Sequence, residues 1–436
     1  MARVLVVGGG FAGTAVAARL AKQRHDVTLV ERRDRLGGDL AFLEQDGFRW
    51  DGAAGSTALP AVVRDLFRKT GRPLERELEL VPLEPMREHR WPDGTVLAMP
   101  AGSRSVQQDA VDAALGAGLG SRWVDYVHGY ADTWDLLRRS LLERPWSGDH
   151  LDRSARSVVL TRTSLHRTVT RAFKGSKHEK LRDLALLATM LEGHDPHNVP
   201  GWVGMWAYVE QNFGRWTVPG GMGLLAEAMT RRLAQRKVQV VLGTRVSDVV
   251  VEGGRAVGVV TDQGRLDADV VVCAVDTRAL PTLAAHSART MPALPPVVCH
   301  LGLVGEVPTL PHEVVLHGEP TLVVRTNGTA PEGGAAWTVL GRGRLAEDVL
   351  VALARRGIDV REQTRVRLDR SPLDQVEELG GSAYGTLWQG RATVERKLAT
   401  TPYAGLYAVG AHVAAGAELP LVGLTAATVA EQIGPA

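Results

Sequence analysis

The chain has 436 residues, of which 44% are hydrophobic and 23% are charged, and its formal net charge is +2. This composition is that of a globular protein, and the length favours two intertwined or sequential domains over a single core. No dense Lys/Arg run indicates nucleic-acid binding, and no run reaches the ~18 apolar residues of a membrane-spanning helix, so we expect at most peripheral membrane contact.

The amino-terminal residues predict a strand, a glycine-rich turn, a helix and a second strand. In order, they are Val4–Val7, the turn 8–13, a helix over 14–22, Val27–Val30 and the acid Glu31. Glycines let the backbone approach a pyrophosphate at the helix N-terminus, and the acid accepts hydrogen bonds from a ribose. We therefore expect an ADP-containing cofactor at Gly8, Gly10, Phe11, Ala12, Gly13 and Glu31.

A second glycine pair favours FAD over NAD. Arg32 follows the ribose-binding acid, and Gly37-Gly38-Asp39 comes shortly afterwards. This order resembles the E-x-x-x-x-x-G-G signature of flavoproteins, in which residues without side chains let the backbone close over the pyrophosphate. A late strand ending at Gly410-Ala411 leads to a final helix, whose N-terminus suits the anionic end of a reduced flavin.

The sequence pattern changes twice in the middle of the chain. Residues 73–214 are predicted to be mostly helical, with helices over 106–115 and 181–191. An α/β pattern then returns, with a helix over 224–235, strands over 238–242, 246–251, 256–261 and 268–274, and a hairpin turn at Gly253-Gly254.

The last third predicts an antiparallel sheet and a return to the first domain. Sheet strands are expected over 297–304, 314–317, 322–325 and 337–341, a helix over 345–356, a strand over 406–409 and a closing helix over 422–433. The predicted fold is α/β, a Rossmann-type FAD-binding domain with an interleaved α+β substrate domain. We assign 1–72, 215–279 and 396–436 to the first domain and 73–214 and 280–395 to the second.

The two cysteines, Cys273 and Cys299, lie in apolar strand-like runs. We expect buried thiols rather than a disulfide or a metal pair. A core strand at the amino terminus leaves no room for a signal peptide, and both observations indicate a cytoplasmic protein.

Several motifs together resemble the phytoene desaturase branch of the FAD-dependent amine oxidase superfamily, over nearly the whole chain. They are Gly47-Phe48-Arg49-Trp50-Asp51 with Gly55-Ser56, residues 215–222 (Arg-Trp-Thr-Val-Pro-Gly-Gly-Met), 330–333 (Ala-Pro-Glu-Gly), 371–374 (Ser-Pro-Leu-Asp) and the spacing of 410–422.

The resemblance implies bound FAD and further cofactor contacts. Backbone near the flavin is expected at Gly55, Ser56, Gly220, Gly221 and Met222, an adenine-side contact at Val246, and a cap on the isoalloxazine at Pro420, Leu421 and Val422. His412 stands where the family usually has glycine, which suggests a changed active site.

Four residues are candidates for handling the proton that leaves the substrate. His300 lies in a strand that, by its order along the chain, resembles one behind the flavin in related oxidases. Glu210 follows several aromatic residues, and His412 and Glu418 flank the carboxy-terminal cofactor turn. Each has a structural alternative, such as a paired sheet histidine or a solvated acid.

We expect an FAD-dependent oxidoreductase that desaturates or dehydrogenates an organic small molecule, an isoprenoid or a specialised metabolite, by hydride transfer to flavin N5. One alternative is an amine oxidase with an aromatic cage from Trp202, Trp206, Trp216 and Trp388. Another is an isomerase that uses reduced flavin without net redox change. No metal site is expected, and the substrate, the electron acceptor and the oligomeric state stay open.

Overall fold

The computed structural model describes residues 1–52, 54–144, 151–287, 289–395, 401–413 and 416–436. The start of the third predicted cofactor-domain segment, 396–400, lies outside them. In chain order the strands β1 to β19 are Arg3–Val7, Asp26–Val30, Leu43–Gln45, Phe48–Trp50, Val81–Pro82, Arg87–Arg90, Val96–Met99, Trp216–Thr217, Gln239–Val241, Val246–Glu252, Arg255–Thr261, Gly264–Asp267, Val270–Cys273, Val297–Val304, Glu313–Leu316, Thr321–Gly328, Gly334–Arg342, Thr364–Arg370 and Leu406–Ala408.

The described part of the chain also contains α-helices. In chain order α1 to α15 are Phe11–Lys22, Pro60–Thr70, Arg104–Leu115, Leu119–His128, Ala131–Leu137, Arg153–Val159, Leu165–Ala172, Glu179–Leu191, Met205–Phe213, Gly223–Gln235, Pro281–Ser287, Val349–Arg355, Pro372–Leu379, Ala392–Glu395 and Leu419–Ile433.

A five-stranded parallel sheet draws on distant parts of the chain. Its order is β19-β13-β1-β2-β9, so strands from the beginning, the middle and the end lie side by side. Val7 pairs with Val30 on one side and with Cys273 on the other, and Cys273 pairs with Ala408. The predicted interleaved Rossmann-type fold is confirmed. Because β1 is apolar and central, it is buried on both faces, as parallel strands usually are.

A three-stranded antiparallel sheet, β10-β11-β12, packs beside this parallel sheet. Gly253 and Gly254 form the β10–β11 turn with φ of +56° and +77°, a backbone conformation that favours glycine. The predicted hairpin is confirmed, although the strand β12 was not predicted.

The second domain is built on a seven-stranded sheet of order β18-β14-β17-β16-β15-β6-β7. The antiparallel sheet predicted within 280–395 is confirmed for its four predicted strands. Two strands, β6 and β7, come from the region predicted to be mostly helical, and β6 pairs with β15 in parallel. The sequence of β6 is charged and that of β7 is apolar throughout, so neither shows the apolar alternation by which a strand is recognised.

The two faces of this sheet pack against different helices. Apolar residues of one face, among them Leu301, Val314, Val324 and Val339, form a core with α12. Residues of the other face include Val315, Val323 and Leu340, which pack against Leu187 and Leu191 at the end of α8. Polar side chains on this second face border the site.

Two helix boundaries correct the sequence prediction. The helix expected from 345 begins at Val349, because the Asp348 side chain accepts a hydrogen bond from Leu350 N (2.8 Å) and caps it there. The closing helix begins at Leu419 instead of 422, with Pro420 in its first turn, a position that proline tolerates. The cysteine prediction is confirmed, since Cys273 and Cys299 are buried free thiols.

Candidate active site

A cavity of about 950 Å³, its open mouth included, lies where the first strands of the parallel sheet end and α1 begins. The α1 N-terminus follows β1 after three glycines, so free N–H groups face this cavity at the carboxyl edge of the sheet. We call this space the cofactor cavity. Its position is the one at which open α/β sheets bind ligands.

Missing side chains create the space. Gly10 adopts extended backbone, and a Cβ built there would meet only Gly38 Cα at 3.9 Å. A Cβ on Gly13 would lie 1.9 Å from Gly8 O, so only glycine lets α1 approach the turn so closely. Gly37 N donates to Gly9 O (2.9 Å), which closes the second glycine pair over the first turn. The cradle therefore fits an extended dinucleotide.

About half of the predicted cofactor residues line this cavity. Those on its wall are Gly8, Gly10, Phe11, Ala12, Glu31, Gly38, Asp39, Gly410, Ala411 and Val422. The others, outside this wall, are Gly13, Arg32, Gly37, Gly55, Ser56, Gly220, Gly221, Met222, Val246, Pro420 and Leu421. Glu31 is buried, and its Oε2 accepts from Gly9 N (2.6 Å) while its Oε1 accepts from Arg33 N (2.9 Å).

Some predicted residues have a supporting position instead. Arg32 donates to the carbonyls of Glu377 and Glu378 at the end of α13, and its neighbour Arg33 lines the cavity. Gly221 packs closely against Phe42, so it holds the loop before α10 in place.

A second cavity, of about 800 Å³ with its open mouth included, adjoins the first. We call it the substrate cavity. The two cavities share Asp39, Ala54, Ala383, Ala417 and Leu419. A molecule in the substrate cavity would thus lie directly against one bound in the cofactor cavity.

An alternating chain of charged side chains lines the substrate cavity. Its order is Arg325, Glu313, Arg87, Glu210, Arg215 and Glu418, and the closest contacts along it measure 2.9, 3.0, 2.8, 2.8 and 3.2 Å. We call it the ion-pair chain. Arg215 Nε also donates to Ser56 Oγ (2.9 Å), which ties the chain to the loop before α2. Such charges tolerate burial because each has a partner.

Strand register brings half of this chain together. Glu313 on β15 pairs directly with Arg325 on β16, and on the other side β15 runs parallel to β6, where Val314 pairs with Glu88. Arg87 therefore lies beside Glu313. Residues paired directly across strands share one face of a sheet, so the three charges form a row.

Burial and neighbouring charges shift the pKa values in opposite directions. Burial raises the pKa of Glu418, and the nearby carboxylates Glu192 and Glu210 add to this effect against the opposing Arg215. Arg87 and Arg215 lower the pKa of Glu210 in spite of its burial, so Glu210 stays ionised. Burial also raises the pKa of Asp39 to about 6.

His412 and His300 have different surroundings. His412 lines the cofactor cavity, its Nδ1 lies 3.8 Å from Asp276 Oδ2, and burial lowers its pKa. His300 is fully buried in β14, with its Nδ1 2.9 Å from Thr338 Oγ1 and its ring against Trp50, and it lines neither cavity. Burial lowers the His300 pKa to about 3, which makes the ring neutral.

The four tryptophans do not form one cage. Trp202 and Trp388 touch edge to face in the helical core, where Trp202 Nε1 donates to Val159 O. Trp216 lies under the Arg64 guanidinium, and Trp206 borders a separate cavity. None of them lines the substrate cavity.

Sequence reasoning missed most of the ion-pair chain. Arg87, Glu313 and Arg325 carry no motif, Arg215 begins a motif that was read only for its later glycines, and the four are far apart in sequence. A charged residue at the start of a strand, as at Arg87 and Glu313, was the only available signal, and such residues are usually solvated. The segment 379–383, which also lines the cofactor cavity, was missed because it carries no recognised motif either.

The described ranges contain no helix with both the length and the apolar character to cross a bilayer. They also contain no group of three His, Cys, Asp or Glu side chains arranged to hold a metal ion.

The sequence profile described as flavin-containing amine oxidoreductase matches residues 11–433. The chain belongs to this family. Its members are flavin-containing oxidoreductases, which agrees with a dinucleotide-shaped cavity beside a second, side-chain-lined one.

Individual family members resemble the chain to different extents. A neurosporene-forming phytoene desaturase of Cereibacter sphaeroides is 27% identical over 63% of the chain, and this match covers only 53% of that protein. A 4,4'-diapolycopene oxygenase of a Methylomonas species is 25% identical, with 99% of the chain and 98% of that protein covered. The predicted likeness to carotenoid desaturases is confirmed.

Solved structures agree in fold. Putrescine oxidase with bound putrescine has a TM-score of 0.71 at 17% identity, covering 99% of the chain and 98% of that structure. Cyclohexylamine oxidase from Brevibacterium oxydans has a TM-score of 0.68 at 16% identity, covering 99% of both.

Proposed function

We propose that this protein is an FAD-dependent oxidoreductase that dehydrogenates or desaturates a small organic substrate. One observation carries the proposal: the glycine-built cofactor cavity adjoins the substrate cavity, and five of the described residues belong to both walls. Carotenoid desaturases among the relatives support the reaction type.

FAD is the flavin that the cradle supports. The space extends from Glu31, the ribose-side acid, past the turn at Gly8 and Gly10 to Gly410 and Val422 near the α15 N-terminus. A cofactor with an adenosine at one end and a flavin at the other would fill both ends, whereas a mononucleotide would leave one end empty. When bound, it would supply the hydride acceptor.

The residues of the substrate cavity would orient the substrate and manage a proton. Arg87 and Arg215 keep Glu210 ionised and fixed, so Glu210 is suited to position its neighbours rather than to take up a proton. Glu418 contacts only Arg215 within the ion-pair chain, and its raised pKa lies nearer to neutrality. Of the four predicted candidates, Glu418 is best placed to hold the departing proton.

The decisive experiment is to load the purified protein with FAD and to record its visible spectrum. We expect stoichiometric binding with a shifted, structured flavin band, and bleaching of this band when an organic substrate is added without oxygen. If the protein binds FMN as well as FAD, or neither, the proposal fails. A Glu418→Gln variant should bind FAD normally and bleach at least about tenfold more slowly, with a changed pH profile.

A further inference from the structure

A cluster of three side chains borders the cofactor cavity beside the glycine turn. His412 and Asp276 line the cavity, and Arg278 contacts both of them. The strands that precede these residues, β19 and β13, are neighbours in the parallel sheet, and β13 also pairs with β1, which leads to the turn at Gly8. The cluster therefore lies at the same carboxyl edge of the sheet as the turn to which a pyrophosphate would bind.

Arg278 fixes the position of the proton on the His412 ring. The guanidinium makes a two-pronged pair with Asp276, in which Nε lies 2.9 Å from Oδ1 and Nη2 lies 2.7 Å from Oδ2. The same Nη2 lies 3.3 Å from His412 Nδ1. Because a guanidinium can only donate, Nδ1 must accept, and the neutral ring carries its proton on Nε2.

The protonated nitrogen, Nε2 of His412, faces open space. It has no hydrogen-bond partner among the described residues, yet it is not enclosed by protein atoms. Gly381 lies beside it, and a Cβ built on that glycine would be 3.4 Å from Nε2. An accessible N–H group on the wall of a ligand cavity is available to an acceptor on the ligand.

The ring stays neutral in these surroundings. Burial lowers the pKa of His412, Asp276 opposes this effect, and Arg278 adds to it. These are the charged groups that face the ring from the segment after β13. Gly381 and Thr386, which contact the His412 turn from the next segment, carry no charge.

A neutral donor suits the charges of this cavity. Three carboxylates, Glu31, Asp39 and Asp276, lie on its described wall, against one arginine, Arg33, which is itself paired with Glu378 (2.9 Å). The wall therefore offers a phosphate no unpaired cation among these residues, and N–H groups must hold it instead.

We infer that His412 is a cofactor-binding residue, which donates one hydrogen bond from Nε2 to an oxygen of the FAD pyrophosphate or of its ribityl chain. Arg278 is a positioning residue that acts through the imidazole. The inference rests on the proposed function, since it requires FAD in the cofactor cavity. It also replaces the proton-handling role expected for His412 from the sequence, because the lone pair of Nδ1 already accepts from Arg278 and is not free to take up a proton.

The first test is FAD affinity, measured by fluorescence titration. His412→Phe keeps a planar ring without the N–H group and should bind FAD roughly tenfold more weakly, whereas His412→Gln keeps an N–H donor and should recover most of this loss. His197→Phe, at an exposed histidine outside the cavity wall, is the control and should bind normally. ADP, which has the pyrophosphate but no ribityl chain, should show the same loss if the acceptor is a phosphate oxygen and none if it is a ribityl hydroxyl.

The second test distinguishes a fixed proton from a merely structural role. In the Arg278→Met variant, Asp276 loses its cation and should raise the pKa of His412, so that the imidazolium forms as the pH falls. Relative to the unmodified protein, FAD affinity should then rise roughly tenfold from about pH 8.5 to about pH 6.5, with proton uptake on binding in calorimetry. Both effects should disappear in the double variant that also carries His412→Phe.

Equal FAD affinity in His412→Phe and the unmodified protein would overturn the inference, and so would a loss that His412→Gln does not recover. Heteronuclear NMR of labelled histidine in the unmodified, FAD-loaded protein should show His412 protonated on Nε2 alone. A ring protonated on Nδ1 would overturn the inference even if Arg278→Met does not fold. A protein that binds no FAD would overturn the proposed function instead, so the two failures are distinguishable.

Discussion

The two main cavities are built by different means. The cofactor cavity is lined by several chain segments, and Gly8, Gly10 and Gly38 leave room there for a ligand because they carry no side chain. The substrate cavity is formed by charged side chains from strands and helices that are far apart in sequence. Adding a side chain to the glycines of the cofactor cavity should therefore disturb that cavity. Removing one charged side chain from the ion-pair chain should disturb the substrate cavity.

The largest effect should come from removing one charge of the ion-pair chain. Arg87→Ala leaves Glu210 and Glu313 buried with one arginine fewer each, and we expect a loss of about 3–5 kcal/mol in the free energy of unfolding. Urea denaturation measures it. Arg265→Ala, which breaks an exposed pair with Glu252, is the control and should cost less than about 1 kcal/mol. Equal losses would mean that burial does not matter here.

The second effect is a pH dependence at the shared wall. Burial raises the pKa of Asp39 to about 6, against the opposing charges of Arg370 and Arg33. A raised carboxyl pKa means that the folded protein binds the proton more tightly, so this contribution is present below the unfolded pKa and is lost as the pH rises through about 6.

Asp39→Asn removes this titration. The stability difference between Asp39→Asn and the unmodified protein should therefore grow between pH 4 and about 6, by up to roughly 3 kcal/mol in favour of the variant. Thermal unfolding across this range measures it. The subtraction cancels the other titrating groups, and a difference that is constant with pH would contradict the assigned pKa.

A smaller effect is expected from adding one methyl group to the cofactor cavity. Gly10→Ala meets only Gly38 Cα at 3.9 Å, so the protein should fold, but the new Cβ occupies space for the cofactor. We expect FAD affinity to fall by about 1–3 kcal/mol, as for other overpacked sites. Fluorescence titration with FAD measures it. Gly341→Ala, whose Cβ meets ordinary contacts at 3.7–3.9 Å, is the control and should bind FAD normally.

The smallest effect should come from His300. His300→Gln disturbs one buried hydrogen bond to Thr338, and we expect about 1 kcal/mol of lost stability with unchanged FAD affinity. Calorimetric unfolding and FAD titration measure the two quantities. A large fall in the rate of flavin reduction, comparable to that of Glu418→Gln, would show that His300 reaches the reaction after all.

These two construction principles explain what could be predicted from sequence. The cofactor cavity follows from local order, because the turn at Gly8, the acid Glu31 and the second glycine pair at Gly37 lie within one short segment. The ion-pair chain depends on register between strands and on how β6 joins β15, and no local pattern encodes either. His300 shows the same limit: its strand was predicted correctly, but the direction of its side chain depends on the final packing.

The last strand and helix have a consequence for how the protein is made. β19 completes the parallel sheet beside β13, and Gly410, Ala411 and Val422 supply the final wall of the cofactor cavity. During synthesis, the nascent chain presents its glycine turn early but cannot enclose a nucleotide until α15 has emerged from the ribosome. Flavin uptake should therefore follow the emergence of α15 and coincide with the closing of the sheet.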